Sequence, residues 1–377
     1  MKIAMLGHKR IPSREGGVEI VVEQLATRMS ALGHEVTVYN RKGAHVSGKE
    51  NTTFEYKKKF NYKGIHVITI PTFEKKSLNA IVYSFLAALH AAVHSYDVVH
   101  FHAEGPCVMI PLVKLSGKRC VATIHGLDWQ RSKWGGFATR FLLFGEKMAA
   151  KYADEIIVLS KNVQAYFRET YGRDVQYIPN GVDKQEKIAS QIITRKYDLK
   201  GRDYYLFLAR IVPEKGLHYL IKAYEQLKTD KKLVIAGGSS HTDEYMDTIK
   251  GMCEKNPDII MTGFVQGQEL QELFSNCYAY ILPSDIEGMP ISLLEAMSFG
   301  CNCLVSNIAE NMEVVKDKAF SFEKSNVDSL SDSLRELEDL SMEEWEQKGA
   351  VIQKYVQENF GWDDVTMQTV KLYESES

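Results

Sequence analysis

Short apolar runs of strand length alternate with stretches of helical periodicity along almost the whole chain, and this commits the backbone to parallel sheets wrapped by helices. The opening run KIAMLGH, residues 2–8, reads as a short buried-strand pattern. A loop holding Gly16-Gly17 follows, then apolar residues at helical spacing over residues 18–32 and a stop at Gly33. Strand-like runs recur at residues 35–39, 65–70, 98–101, 120–124, 155–159 and 175–178. After the turn Pro179-Asn180-Gly181 the same grammar restarts, with runs at residues 204–208, 233–236, 259–261, 278–282 and 303–306. A chain of 377 residues also exceeds one ordinary core. The expected organisation is two α/β domains, residues 1–182 and 183–360. Helical segments at residues 341–359 and 362–373 are separated by Phe360-Gly361, so that a final helix of about residues 361–377 crosses back to the first domain. Two such lobes leave a cleft at the carboxyl ends of their strands, where open α/β sheets bind ligands.

Hydrophobic residues make up 45% and charged residues 25% of the sequence, with no Pro-, Ser- or Gln-rich tract, which argues against disorder outside the termini. Cys107, Cys120, Cys253, Cys277, Cys301 and Cys303 lack the spacing of a zinc knuckle or redox motif and read as reduced core residues. The longest apolar stretch, residues 78–93, contains His90 and stops short of the ~20 residues that a membrane span needs. The run at residues 3–6 is far shorter than a signal-peptide core, so a cytoplasmic protein is expected. The net charge of -3 conceals a split: residues 1–182 carry 25 basic and 15 acidic side chains, and the remainder 21 and 34. The first half is expected to face something anionic, the plainer reading being two lobes with differently charged surfaces.

The most informative stretch is Glu287-Gly288-Met289-Pro290-Ile291-Ser292-Leu293-Leu294-Glu295-Ala296-Met297-Ser298-Phe299-Gly300, directly after the strand ending Leu282-Pro283-Ser284. Pro290 suits a first helical position and Gly300 the stop, so a helix is expected from about residue 290 to residue 299. Glu287 then lies in the loop and Glu295 in the helix. Amide groups of such a first turn converge on an anion beside permissive Gly288, and the helix dipole favours phosphate. Two carboxylates flanking a diphosphate would repel it; they more plausibly accept hydrogen bonds from hydroxyls on either side, as a nucleotide sugar offers on ribose and hexose. A second stretch, Phe207-Leu208-Ala209-Arg210-Ile211-Val212-Pro213-Glu214-Lys215-Gly216, is a strand and a loop with two cations, followed by a helix from Leu217. Arg210 supplies a planar fork and Lys215 a mobile point charge, a pair suited to a diphosphate leaving group without a metal.

The pattern ARIVPEKG followed by EGMPISLLEA, with seven residues between its two glutamates, resembles the retaining GT-B glycosyltransferases of family 4, also called group 1. The likeness covers nearly the whole chain and includes Gly16-Gly17, LGHEV at residues 32–36, DVVHFH at 97–102, TIHG at 123–126 and IPNGVD at 178–183. It implies an α/β GT-B fold, two Rossmann-like doubly wound domains with a cleft between them. It implies transfer of a hexosyl group from a UDP- or dTDP-linked sugar to an acceptor hydroxyl, with retention of anomeric configuration and no metal or other cofactor. On this resemblance Glu295 binds the ribose hydroxyls, Glu287 the donor-sugar hydroxyls, and Arg210 with Lys215 the diphosphate. Gly288 and the backbone at Met289, Pro290 and Ile291 complete the cradle. His125 contacts sugar or phosphate from the first lobe, Gly16 and Gly17 let the backbone approach the donor, and Gly263-Phe264-Val265 hold the base through the main chain. Glu287, His125, Arg210 and Lys215 are the catalytic candidates. The basic loop His8-Lys9-Arg10-Ile11-Pro12-Ser13-Arg14-Glu15 looks like that of a subgroup associated with bacterial surface polysaccharides, some of whose members transfer rhamnose, and a lipid-linked glycan is the implied acceptor.

Residues 41–63 carry seven basic and two acidic side chains. There Lys57, Lys58 and Lys59 beside Phe60 suit a peripheral contact with anionic lipid at the inner face of a plasma membrane, a solvated hairpin or loop being the plainer reading. No nucleic-acid partner is expected. His100 and His102 alternate on a strand and read either as structural residues at a sheet edge or as substrate contacts, with no third ligand spaced for a metal. Asp128, Trp129 and Arg131 read as a wall of an acceptor groove or as a packed loop, and Gly237-Gly238-Ser239-Ser240 as a strand-end turn or a phosphate contact. The absence of a GxGxxG fingerprint and a Walker A lysine argues against dinucleotide or ATP chemistry. Two rivals remain: a nucleotide-sugar epimerase of the same architecture, which needs no acceptor, and a non-catalytic two-lobed sugar-binding protein, which predicts a secretion signal and no diphosphate cations.

Overall fold

A computed structural model of the chain describes residues 1–42, 58–72, 76–130, 135–238 and 243–375. The chain divides into two units, one of Met1–Gly181 with Trp362–Ser377 and one of Val182–Gly361.

In the first unit the strands are β1 (Lys2–Leu6), β2 (Glu35–Arg41), β3 (Lys59–Tyr62), β4 (Ile65–Ile70), β5 (Val98–His102), β6 (Arg119–Ile124), β7 (Glu155–Val158) and β8 (Gln176–Tyr177). They form one sheet in the order β3-β4-β2-β1-β5-β6-β7-β8. Every pairing is parallel except that of β3 with β4. Parallel neighbours need long crossovers, which here are helices such as Gly17–Ala31 between β1 and β2 and Gly136–Tyr152 between β6 and β7. Helices on the sheet faces leave Ile3, Ala4, Met5, Leu6, Val121 and Ala122 without exposure, which is why these strands read as unbroken apolar runs. The C-terminal helix Trp362–Glu374 belongs to this unit and packs on Gly17–Ala31, with Arg28 Nε 2.8 Å from Asp363 Oδ1.

The second unit holds six parallel strands, β9 (Tyr204–Leu208), β10 (Lys232–Ala236), β11 (Ile259–Gly263), β12 (Ala279–Leu282), β13 (Asn302–Ser306) and β14 (Phe320–Phe322). Their order is β11-β10-β9-β12-β13-β14. The direction of winding therefore reverses between β9 and β12, the place where doubly wound sheets open a crevice at their carboxyl ends. In the first unit the same reversal falls between β1 and β5. A separate core lies in each unit, around Phe101, Ile124 and Phe167 in the first and around Phe207, Ile235, Ile281 and Leu304 in the second.

Two strands go beyond the sequence reading. β3 is a four-residue edge strand whose exposed Lys59 alternates with half-buried Phe60, and β14 is only three residues long, too short for a periodic signal. The helix expected from residue 290 runs from Ile291 to Ser298, with extended Pro290 at its N-cap and Gly300 beyond its end at φ 68°. All six cysteines are buried and free. Among the described residues no helix is long and apolar enough to cross a membrane.

One buried carboxylate ties distant parts of the second unit together. Glu272 accepts hydrogen bonds from the backbone N–H groups of Gln191, Ile192 and Ile193, at 2.9, 2.6 and 3.1 Å, at the start of the helix Ile192–Tyr197. Burial works against its charge, but the bonds from Gln191, Ile193 and Ile192 outweigh it and hold the carboxyl below its usual range. Its stabilisation is therefore complete above the unfolded-state value of ~4.3 and is lost as pH falls through the folded-state value. We expect Glu272→Gln to cost about 1–3 kcal/mol at neutral pH, with the gap to the parent closing in acid. Thermal melts between neutral pH and about pH 3 check this, and a gap independent of pH would contradict it.

Candidate active site

The switch point of the second unit gathers the residues singled out by the sequence. Beyond β9 the chain passes through half-buried Arg210 into the short turn Pro213–Lys215 and then the helix Leu217–Glu225. Beyond β12 it passes through Ser284 and Glu287 into the helix Ile291–Ser298. These loops are locked together. The Asp285 N–H donates to the Glu214 carbonyl at 2.9 Å, and Gly216, at φ 67°, packs so tightly that a Cβ there would stand 2.0 Å from the Pro283 oxygen. A residue with a side chain would clash with that carbonyl and would also resist the left-handed backbone.

Across this junction the Lys215 ammonium pairs with Glu287 Oε1, and both side chains are largely buried, at 12% and 6% exposure. The Ser284 hydroxyl donates to the same carboxylate oxygen at 2.7 Å. Tyr280, buried under the site, bonds Ser292 Oγ at 2.8 Å and donates to the Leu208 carbonyl at 3.3 Å, linking the helix start to the end of β9. Ser292 and Glu295 are half-buried polar positions three residues apart on one face of an otherwise buried helix. The Leu293 and Leu294 N–H groups of this helix donate to the Pro290 carbonyl at 3.2 and 3.3 Å, and the helix dipole favours an anion at its start, so cations, a helix N-terminus and carboxylates lie at neighbouring strand ends. Gly237, at φ 145°, would place a Cβ 1.9 Å from the Ala209 carbonyl, and its N–H donates to Gly263 at 2.8 Å. Through this contact the ends of β9, β10 and β11 are held in register, with Phe264 and Val265 half-buried beyond them.

The first unit has its own cluster at the ends of β1, β5 and β6. Gly16 is extended rather than left-handed, and its missing side chain makes room for Glu19, whose Oε2 would lie 2.2 Å from a Cβ there. Glu19 Oε1 in turn accepts the Lys9 N–H at 2.8 Å. Gly17 is the first residue of the following helix. His8 is buried, its Nε2 3.1 Å from Asn40 Oδ1, and burial pushes its pKa down to about 4. His125 is half-buried, with Nε2 3.1 Å from His102 Nδ1. Asp128 and Trp129 form a short turn fastened to buried carboxyls: the Asp128 N–H donates to Glu104 Oε1 at 3.2 Å, and Trp129 Nε1 to Glu146 Oε2 at 3.2 Å. Burial, with Asp128 and Glu146 nearby, raises the Glu104 carboxyl to about 10, so it is protonated at neutral pH. Lys57, Arg131, Ser239 and Ser240 lie outside the described residues.

Comparison with known proteins agrees with both halves of this picture. Residues 15–186 match the model of Glycosyltransferase Family 4, and residues 190–353 match that of Glycosyl transferases group 1. The chain is a glycosyltransferase. It is 25% identical over 392 residues to an uncharacterized glycosyltransferase of Methanocaldococcus jannaschii, covering 99% of this chain and 98% of that one. It is 26% identical over 327 residues to a GDP-mannose-dependent alpha-(1-6)-phosphatidylinositol monomannoside mannosyltransferase of Mycolicibacterium smegmatis, covering 81% of each. Anabaena HepE, solved in complex with UDP and glucose, superimposes with a TM-score of 0.79 at 17% identity, covering 98% of each chain, and shares the GT-B architecture.

Within this glycosyltransferase one sequence expectation is corrected. His100 and His102 do not lie at a sheet edge, because β5 is an interior strand between β1 and β6. Both rings are fully buried. Sequence reasoning also passed over Ser284, Tyr280 and Glu19, which hold the candidate groups in place. Only Ser284 carried a local signal, a hydroxyl three residues before Glu287 in the same loop.

Proposed function

We propose that the enzyme transfers a hexosyl group from a nucleotide diphosphate sugar to an acceptor hydroxyl with retention of configuration, and that it does so without a metal ion. The observation that carries this reading is the Lys215–Glu287 pair across the switch point between β9 and β12, beside Arg210 and a helix start. Arg210, Lys215 and the first-turn amides supply the positive potential that a departing diphosphate needs, which is the role a divalent ion would otherwise fill. Glu295 accepts the ribose hydroxyls and Glu287 the sugar hydroxyls, while His125 meets the donor from the first unit and residues 263–265 meet the base. A donor displaces Lys215 from Glu287 toward phosphate and frees the carboxylate for the sugar.

A lipid-linked acceptor, as in bacterial surface polysaccharide synthesis, is supported by the name of the mycobacterial relative, whose acceptor is a phosphatidylinositol mannoside. The basic first half supports it as well, with exposed Lys58 and Lys59 at the edge of the sheet offering a peripheral contact to anionic lipid.

A thermal-shift panel of UDP-, dTDP- and GDP-sugars tests the donor, since a ligand at 100 times its Kd adds about 2.7 kcal/mol. The responding donor is then assayed with a lipid-diphosphate acceptor in anionic and in neutral vesicles, with and without EDTA, and the anomeric configuration of the product is determined. The expected result is EDTA-resistant transfer with retention, faster on anionic vesicles. Loss of transfer in EDTA with recovery in manganese removes the metal-free reading, and conversion of the donor without an acceptor favours an epimerase.

A further inference from the structure

His102 is the least explained group near the candidate site. Its ring is fully buried on the central strand β5, and its backbone is pressed by Gly7, where a Cβ would stand 2.0 Å from the His102 carbonyl oxygen. The adjacent His100 has both ring nitrogens engaged, Nδ1 with the Tyr373 hydroxyl at 2.6 Å and Nε2 with Thr123 Oγ1 at 2.7 Å. His102 instead packs tilted against His100, with ring centroids 4.1 Å apart and planes 30° apart, and turns Nδ1 toward His125 Nε2 at 3.1 Å. Its own Nε2 is buried and meets no hydrogen-bonding partner among the described residues.

Burial, with His100, His125 and His8 close by, pushes the His102 ring well below its usual range, so it is neutral at physiological pH and carries one proton. There are two places for it. On Nε2 it would be a buried N–H with no acceptor, while on Nδ1 it donates to His125 and leaves only an under-used lone pair. Buried donors without acceptors are the rarer of the two. The proton therefore belongs on Nδ1, and the Nε2 of His125 must accept it.

We infer that His102 is a positioning residue that fixes the orientation and tautomer of His125: His102 Nδ1–H donates to His125 Nε2, so that a neutral His125 carries its own proton on Nδ1 and offers that N–H as its donor. This rests on the reading that His125 touches the donor sugar or its phosphate. A group set in this way acts as a hydrogen-bond donor toward an oxygen of the substrate and not as a general base through Nε2, because that lone pair is already occupied.

The test uses the full chain labelled with 15N-histidine, in which long-range proton–nitrogen correlation separates the two tautomers of each ring. His125 is expected to carry its proton on Nδ1. In His102→Phe, which keeps a ring in the space but removes the donor, that preference should be lost. The kcat should fall about 10- to 100-fold with little change in donor KM, the size of loss seen when the orienting partner of a metal-bound histidine is removed. His102→Asn places an amide N–H near the position of Nδ1 and is expected to restore both the tautomer and most of kcat, which a merely structural role would not produce. A His125 protonated on Nε2 in the wild-type chain overturns the inference, as does an unchanged His125 spectrum in a folded His102→Phe. Should the tautomer behave as expected while His125→Asn leaves kcat untouched, the positioning stands and the assignment of His125 to the substrate falls.

Discussion

Lys215→Met is expected to lower kcat by about 10²–10³-fold, the loss usual for removing one preorganised group that stabilises developing charge. Lys215 is the ionic partner of Glu287, and Ser284 also donates to that carboxylate oxygen. Methionine keeps the length and apolar stem of lysine, so the turn Pro213–Lys215 should persist while the charge is lost. Two consequences separate this from simple destabilisation. First, if Lys215 serves the departing diphosphate, kcat and kcat/KM fall together, because the interaction grows as the bond breaks. Second, Glu287→Gln should also depress turnover, and the double variant should be much less impaired than the product of the two single effects, since each removes the same junction. Steady-state kinetics of the three variants with the responding donor decide the matter. A Lys215→Met enzyme within about threefold of wild type would take Lys215 out of the chemistry.

Gly216→Ala is expected to be among the most damaging small substitutions in the second unit, costing about 3 kcal/mol or more together with most donor affinity. Two penalties add at this position. The backbone sits at φ 67°, which an L-residue resists by about 1–2 kcal/mol, and a Cβ would approach the Pro283 oxygen to 2.0 Å and its carbon to 2.9 Å. The clash falls on the backbone of the neighbouring loop and not on a flexible side chain, so relief requires moving the β9 and β12 loops apart. That movement separates Lys215 from Glu287 and breaks the bond from the Asp285 N–H to the Glu214 carbonyl. Gly172→Ala is the natural control: its backbone is left-handed in the same way, at φ 61° and ψ 25° against 67° and 16° at Gly216, but among the described residues nothing lies within 4 Å of the position a Cβ would take. It should cost only about 1 kcal/mol and leave donor binding intact. Thermal melting and nucleotide calorimetry on both variants check the contrast, and equal losses in the two would show that backbone conformation alone, without the close approach, matters at Gly216.

Much of this protein was legible from residues read in order. The alternation of apolar runs and helical periodicity places nearly all the strands that end at the candidate site, because β and α spacing are local properties of a few consecutive side chains. Arg210, Lys215, Glu287 and Glu295 could equally be singled out as candidates, since residue type and its place at a strand end or helix start need no third dimension. The edge strand β3 and the three-residue β14 were not visible, because so short a segment becomes a strand only when a neighbour supplies its hydrogen bonds. Pro290 was placed one position too far into its helix for a related reason: whether it caps or begins the helix depends on its ψ of 113°, which the packed loop sets. What the tertiary structure alone decided is who meets whom. Lys215 and Glu287 are 72 residues apart in the chain, Glu272 caps a helix about 80 residues before it, and His102 meets His125 at the ends of the neighbouring strands β5 and β6. Such pairs follow from strand order, and strand order follows from burying every apolar face of a whole sheet at once, which no local window of sequence contains. The same holds for protonation: Glu104 and His102 are ordinary titratable residues on the page, and only the dry interior around them makes one a neutral acid and the other a ring with a single determined proton.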